Sequence, residues 1–243
     1  MATQVLTNTK LYLAEFDLSG DHNALALNYS AEMQDSTVFG NAARNRAGGL
    51  KVVSFSGEGF WSGGDGLVDE VLYGKIGVAD APCTIAPVGE TLANDAYLFR
   101  CIMGQYQFGA PVGELLRFSV SGEGSGGVGV VRGKLLHVGS ETATGAEDKQ
   151  VLGAVSATQS IYAALHVLTV TGTNPTLDVV LESDADGTAG GETARITFAQ
   201  ATAETSEWAS LAGAVTDTYW RVSWTIGGTD TPTFGFNVAV GIL

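Results

Sequence analysis

The sequence predicts a mainly β protein built from two β-rich domains, with one helix lying between the early and late strands of the first. Three observations carry this. Short runs rich in β-branched and aromatic residues, bounded by Gly or Pro, recur throughout the 243 residues. Glycine, at 33 residues, has about twice its ordinary share of roughly 7% and shows no Gly-X-Y period, which fits turns and excludes collagen. One stretch alone repeats apolar residues at clear helical spacing.

Taken in order, Leu11–Phe16 alternates apolar and other residues, and Lys51–Phe55 reads Lys-Val-Val-Ser-Phe, so both are expected to be strands. Gly66–Lys75 predicts the helix. There Leu67, Val71 and Leu72 recur at helical spacing, and Asp65 and Asp69 sit near the start, where the helix dipole favours acids. Ala96–Met103, Glu114–Val120 and Val130–Leu136 follow as short strands, the last two expected to form a hairpin around the glycine-rich Ser121–Gly129. After Gly139 the composition turns to Ser, Thr, Ala and Gly. The polar residues 140–150 are expected to link a domain at 1–139 to a second at 151–243. Ile161–Val170, Leu177–Glu182, Ala194–Phe198, Tyr219–Ile226 and Phe234–Val240 recur at sandwich spacing and predict an Ig-like or jelly-roll-like β-sandwich. In the strongest of these strands, alternation puts Trp220, Val222 and Trp224 on one face and Tyr219 and Arg221 on the other.

Composition excludes several classes. With 45% apolar residues the chain can bury a core and is not expected to be disordered. No apolar run approaches the roughly 18 residues of a membrane span, and no leader is expected. The formal net charge of −14 argues against a nucleic-acid-binding surface, which needs a basic face. It remains compatible with a surface that DNA slides past without sticking. Residues 1–137 hold 14 acids and 9 bases, and residues 138–243 hold 12 acids and 3 bases, so the second half is the more acidic. Acidic, Gly/Thr-rich loops such as Ser183–Thr193 suit an outward-facing module kept soluble by self-repulsion.

No catalytic constellation emerges, and no enzyme activity, cofactor or metal is expected. His22, His137 and His166 are far apart and lack metal-ligand spacing, so His137 and His166 read as structural. Gly122–Gly129 lacks the Lys-Ser/Thr of a phosphate loop and joins strands instead of opening a helix. Asp184, Asp186 and Glu192 open like a calcium loop but lack its later acid, and a solvated turn is expected. Cys83 and Cys101 read as buried free thiols, with a disulfide left open. Trp208, Tyr219, Trp220 and Trp224 read chiefly as core, with Trp220 and Trp224 retained as glycan-stacking candidates.

Leu11–Gly20 ends in Asp-Leu-Ser-Gly and is followed by an apolar strand. Then come Ala31-Glu-Met-Gln-Asp-Ser-Thr-Val-Phe-Gly, Arg44, and Gly48-Gly-Leu-Lys-Val-Val-Ser-Phe-Ser-Gly-Glu-Gly-Phe. In that order these segments resemble the major tail (tail tube) proteins of long-tailed bacteriophages, over roughly residues 5–137. Gly113–Gly124, closing on Val131–His137, is similar to the late strands of the same domain. Asn41 departs from the pattern, where Asp is more usual.

The resemblance implies a tail-tube-type β-sandwich or barrel with one flanking helix. Six copies form a ring, and rings stack into a virion tail tube through which DNA passes without specific binding. It implies the chain itself as partner, with tape measure and terminator proteins, assembly in the host cytoplasm, and no membrane insertion. The appended sandwich would decorate the outside. Within Asn41–Gly49 too few apolar residues are present to fold back on the domain, so Arg44, Asn45, Arg46, Gly48, Gly49 and Lys51 are expected to form an inter-subunit loop, the alternative being an exposed hairpin loop with solvated arginines. The competing expectation is a capsid decoration or receptor-binding fibre protein with a glycan-binding second domain. A secreted glycan-active enzyme is a third.

Overall fold

The computed structural model describes residues 6–64, 66–188 and 190–243, so the Asp65 expected near the helix start lies outside the described residues. The chain is mainly β, with a single helix among the described residues. It divides into two compact units. The first comprises residues up to Gly20, Ala81–Phe99 and Val131–Leu243; the second comprises Asp21–Asp80 and Arg100–Val130. The expected division at 1–139 and 151–243 runs along the chain, whereas each of these units draws together separated segments.

In the first unit, β1 (Lys10–Leu13) pairs antiparallel with β2 (Phe16–Asp17) and with β5 (Ala81–Ala86). Two long strands dominate the rest. β11 (Ser160–Asp184) and β14 (Tyr219–Ile242) pair along their whole length, with register shifts between Val167 and Thr176. The four strands expected at 161–170, 177–182, 219–226 and 234–240 are therefore the halves of two bent strands. The first half of β11 also pairs with β13 (Thr205–Ala212), and its second half with β12 (Thr193–Thr197). The second half of β14 pairs with β8 (Val131–Glu141). Its first half pairs with β9 (Gly145–Ala146) and β10 (Gln150–Val151), so the expected linker at 140–150 carries sheet residues.

The bends bring the halves over one core. Ile161, Leu165, Leu177, Leu181, Trp220, Trp224, Phe234 and Phe236 belong to a single buried cluster. Period-two alternation explains why these side chains point inward together. His166 pins the N-terminal segment of this unit: its Nδ1 lies 2.6 Å from the Ala14 carbonyl and its Nε2 2.8 Å from the Thr84 hydroxyl.

The second unit is a four-stranded antiparallel sheet in the order β3 (His22–Asp35), β4 (Arg46–Phe60), β7 (Arg117–Gly124), then the later part of β6 (Asp95–Gly109). The expected β7–β8 hairpin is not formed. Both strands pair with β6 instead, β7 along Cys101–Gly109 and β8 along Asp95–Leu98. Val53, Phe55, Phe118, Val120, Cys101 and Met103 are buried on one face. Gly122 leaves room there for the Phe55 ring, since a Cβ at that position would lie 2.5 Å from it.

The helix, α1 (Val68–Lys75), buries Val68, Val71 and Leu72. It starts after the expected Gly66, and Leu67 is exposed. Tyr106 donates its hydroxyl proton to Asp69 at 2.7 Å and Trp61 its indole N–H to the same carboxylate at 3.0 Å, tying the first helical turn to the sheet. Both cysteines are buried, and neither is in a disulfide.

Candidate interaction surface

Strand pairing makes β3 and β4 outlast the rest of their sheet. The β4–β7 ladder covers only Ser54–Phe60, whereas β3 pairs with β4 down to Asp35 and Arg46. Arg46–Val53 is thus held by β3 alone, as a two-stranded ribbon projecting roughly 25 Å at about 3.3 Å per residue. Among the described strands, β3 pairs only with β4, so its outer margin carries unpaired backbone groups. An isolated two-stranded hairpin is marginal in water.

The tip joining β3 to β4 is a hydrogen-bonded turn. The Ser36 N–H donates to the Asn45 carbonyl at 3.0 Å, and the Asn45 N–H to the Thr37 hydroxyl at 2.9 Å. Asp35 accepts from the Thr37 hydroxyl and N–H, which hold its carboxyl below the usual carboxylate range. Gly40 takes a left-handed φ of 93°, which lets the chain reverse. Of the expected loop residues, Arg46, Gly48, Gly49 and Lys51 lie in β4, and Arg44 and Asn45 in the turn. All six are exposed. Lys51 lies over the Tyr29 ring at 5.8 Å, and Arg44 and Arg46 make no ion pair among the described residues.

Sequence reasoning missed the apolar residues beside them. Met33, Val38, Phe39 and Leu50 are exposed, Phe39 at 109%. Their signal lies in the sequence itself, since Val38-Phe39 is an apolar pair inside a turn of polar and small residues.

The open face of the same sheet is polar. Asn28, Ser54 and Glu123 align across three strands, and Ala26, Ser56, Ser121 and Gln105 across four, with Glu58 opposite Ser119. All of these except Glu58 and Ser119 line a concavity of about 710 Å³ together with Ile76 and Ile102. Glu123 is the charged residue of its lining, Glu58 lies on the same sheet face opposite Ser119, and Arg117 lies over the Phe60 ring at 5.3 Å.

The other sequence candidates resolve into structure. Trp220 is 0% and Trp224 6% exposed, and their indole N–H groups donate to the carbonyls of Gly153 and Ala143, each at 2.9 Å. Neither can stack on a sugar; both belong to the core, because the inward face of β14 is the one they share. His137 is fully buried, stacked on Phe236 with centroids 3.9 Å apart, with Nδ1 2.9 Å from Glu147. Burial pushes the His137 and His166 rings down to about 4, so both are neutral at pH 7.

The acidic loop after β11 is compensated rather than self-repelling. The Lys149 ammonium contacts Asp184, the Thr188 carbonyl and Glu192, and Arg221 pairs with Glu182 at 2.8 Å and Glu192 at 3.0 Å. An ammonium thus fills the space among the acids of the calcium-like segment. No group of three or more metal-ligating side chains occurs among the described residues.

No protein-family model and no curated protein matches the sequence. Among solved structures, the chain is similar to a protein of the virion of a native gene transfer agent particle, at 14% identity and TM-score 0.43, covering 51% of this chain and 95% of that one. It is similar to the SPP1 tail tube protein at 11% identity and TM-score 0.41, over 52% of this chain and 77% of that one. Similarity to the SPP1 Dit protein extends over 98% of this chain and 100% of that one, at 10% identity and TM-score 0.39.

Proposed function

We propose that this chain is a structural virion protein whose copies form hexameric rings that stack into a phage tail tube, a conduit for DNA. The observation that carries the reading is the β3–β4 ribbon. A monomer leaves its outer margin without hydrogen-bond partners and its apolar residues in water, and a neighbouring copy satisfies both. Closing several copies' sheets into one barrel removes the free edges. The motifs between Leu11 and Phe60 that resemble tail tube proteins bracket the same ribbon.

In this assembly the polar face of the second unit lines the bore. Glu58 and Glu123 repel phosphate, and the small Ser and Gln side chains offer DNA no cationic hold. Arg44, Asn45, Arg46, Gly48, Gly49 and Lys51 form the inter-subunit contact, and residues 151–243 decorate the outside. Tape measure and terminator proteins set the tube's length, because stacking of this kind never closes. The work is mechanical, and no chemical step or cofactor enters. A receptor-binding or capsid-decoration role loses its specific support with the burial of Trp220 and Trp224.

Negative-stain microscopy of concentrated protein tests the reading. Hollow tubes are the expected result. Compact trimers or lone monomers at every concentration would refute it.

A further inference from the structure

His137 is a buried titratable group of the first unit that the tube does not use. A bulge puts it there. β8 pairs His137 with Val238 and Leu135 with Ala239, so Leu136 is the extra residue, and Leu136 and His137 both turn into the core. The ring stacks on Phe236, and Trp224 lies against it with centroids 4.6 Å apart.

Residues 142–153 cross the first half of β14 as a strap. Gly145 and Ala146 pair with Trp224 and Ser223, and the Glu147 N–H donates to the Val222 carbonyl at 2.9 Å. A Cβ at Gly145 would lie 2.9 Å from the Trp224 ring, so the strap backbone rests on that indole. Beyond Glu147, the Lys149 ammonium contacts Asp184 and Glu192, and the Leu152 and Gly153 N–H groups donate to the Thr218 carbonyl at 3.2 and 3.1 Å. Glu147 joins the strap to the buried ring, its Oε1 2.9 Å from Nδ1.

This clasp suits a neutral ring. Nδ1–H donates to the Glu147 carboxylate, and a second proton would sit on Nε2, which is buried and has no acceptor among the described residues. From the strap, Glu147 faces the ring; from β14, the uncharged Trp224 and Phe236 do. Burial, with Glu141 of β8 and Asp148 of the strap, raises the Glu147 carboxyl. Lifted into water, the ring returns from about 4 to 6.5, so the open strap binds the extra proton between those values and gains as pH falls through them. The raised Glu147 carboxyl opposes this in part, because the closed clasp holds its proton better. Lys149 does not let go in this window, since it holds the Asp184 carboxyl below the usual carboxylate range.

We propose that residues 142–147 form an acid-released strap, which lifts from β14 when His137 takes up a second proton while Lys149 keeps the rest of the strap in place. Release uncovers the Trp224 ring and the margin of β14 at Val222–Trp224, a strand border that neutral pH keeps covered. The inference concerns a single copy of the chain and is independent of the tube.

Amide exchange on the full chain, corrected for the intrinsic effect of pH on exchange, tests this. The Glu147 amide and the Ile226 amide, which donates to the Thr144 hydroxyl at 3.1 Å, are expected to lose protection by about twentyfold between pH 7 and 5. At each pH they should be less protected than the amides of Gly153 and Leu177. One common protection for Glu147, Gly153 and Leu177 at every pH means that the unit opens as a whole, and overturns the strap. An unchanged Glu147 amide overturns it too. His137→Phe keeps an aromatic ring in the stack and is expected to abolish the pH dependence at Glu147; its persistence overturns the assignment to His137. Ring nitrogen shifts of the parent chain give a reading that needs no variant. They should show the proton on Nδ1 at pH 7 and a titration near 4. A ring that titrates near 6.5 while the Glu147 amide stays protected overturns the clasp.

Discussion

Replacing Trp220 with Ala separates a core role from a ligand role. Trp220 heads the fully buried side chains by volume, and its indole N–H is the donor to the Gly153 carbonyl at 2.9 Å. Truncating a buried Trp to Ala costs about 3–5 kcal/mol through lost burial and the cavity left behind. The Gly153 carbonyl, stripped of its partner, adds to that loss. Against a domain stability of about 5–15 kcal/mol, such a loss brings the first unit close to unfolding. With a urea slope of about 2 kcal/mol per M, the midpoint should fall by roughly 2 M. Trp220→Phe keeps part of the packing but loses the hydrogen bond and some buried ring volume, so a smaller loss of about 1–3 kcal/mol is expected. Urea unfolding followed by circular dichroism measures both. A Trp220→Ala midpoint within about 0.3 M of the parent, with loss of oligosaccharide binding, would refute the core assignment.

Gly122→Ala places a Cβ 2.7 Å from the Ile102 carbonyl oxygen and against the Phe55 ring. It should destabilise the second unit by about 1–3 kcal/mol, read as a lower melting temperature, and an unchanged melting curve would contradict the packing described. His166 is held near 4 in the fold against 6.5 in an unfolded chain, so the unfolded state binds the extra proton between those values. Its contribution to stability is complete above about 6.5 and is lost as pH falls towards 4. Denaturation midpoints measured across that window should slope more steeply for the parent than for His166→Gln, and equal slopes would exclude this source. Lys149→Met removes the cation among Asp184, Thr188 and Glu192. Faster amide exchange across residues 184–192 is expected, and unchanged protection would show that the loop does not depend on it. Phe39→Asp should leave the melting temperature almost unmoved, since nothing packs on that side chain, and should suppress assembly in sedimentation.

The parts legible in the sequence were those governed by local periodicity. Alternation in Tyr219–Ile226 placed Trp220, Val222 and Trp224 together on the inward face, where they lie. Helical spacing found α1, although Val68 instead of Leu67 turns inward. Strands whose faces do not differ escaped. β5 reads Ala-Pro-Cys-Thr-Ile-Ala and is buried at all six positions, so no alternation marks it. Residues 46–50 include Gly48 and Gly49 and have weak strand propensity, yet pairing with β3 extends β4 through them.

The division into units was illegible for a different reason. β6 serves both β7 and β8, and β1 pairs with β5 some 70 residues onward; such long-range pairing leaves no trace in composition. For the interaction surface, Arg44, Arg46 and Lys51 stood out by charge. Their apolar companions Phe39 and Leu50 did not, because an exposed apolar residue looks like a core residue until its surroundings are known.

The central claim is that copies of this chain close their free sheet margins around a bore. A cryo-microscopy reconstruction of the assembled protein measures this directly. Six copies per ring should appear, with the outer margin of β3 hydrogen-bonded to a neighbouring copy and Glu58 and Glu123 facing the channel. An assembly in which β3 stays unpaired, or in which that acidic face points away from the axis, would contradict it.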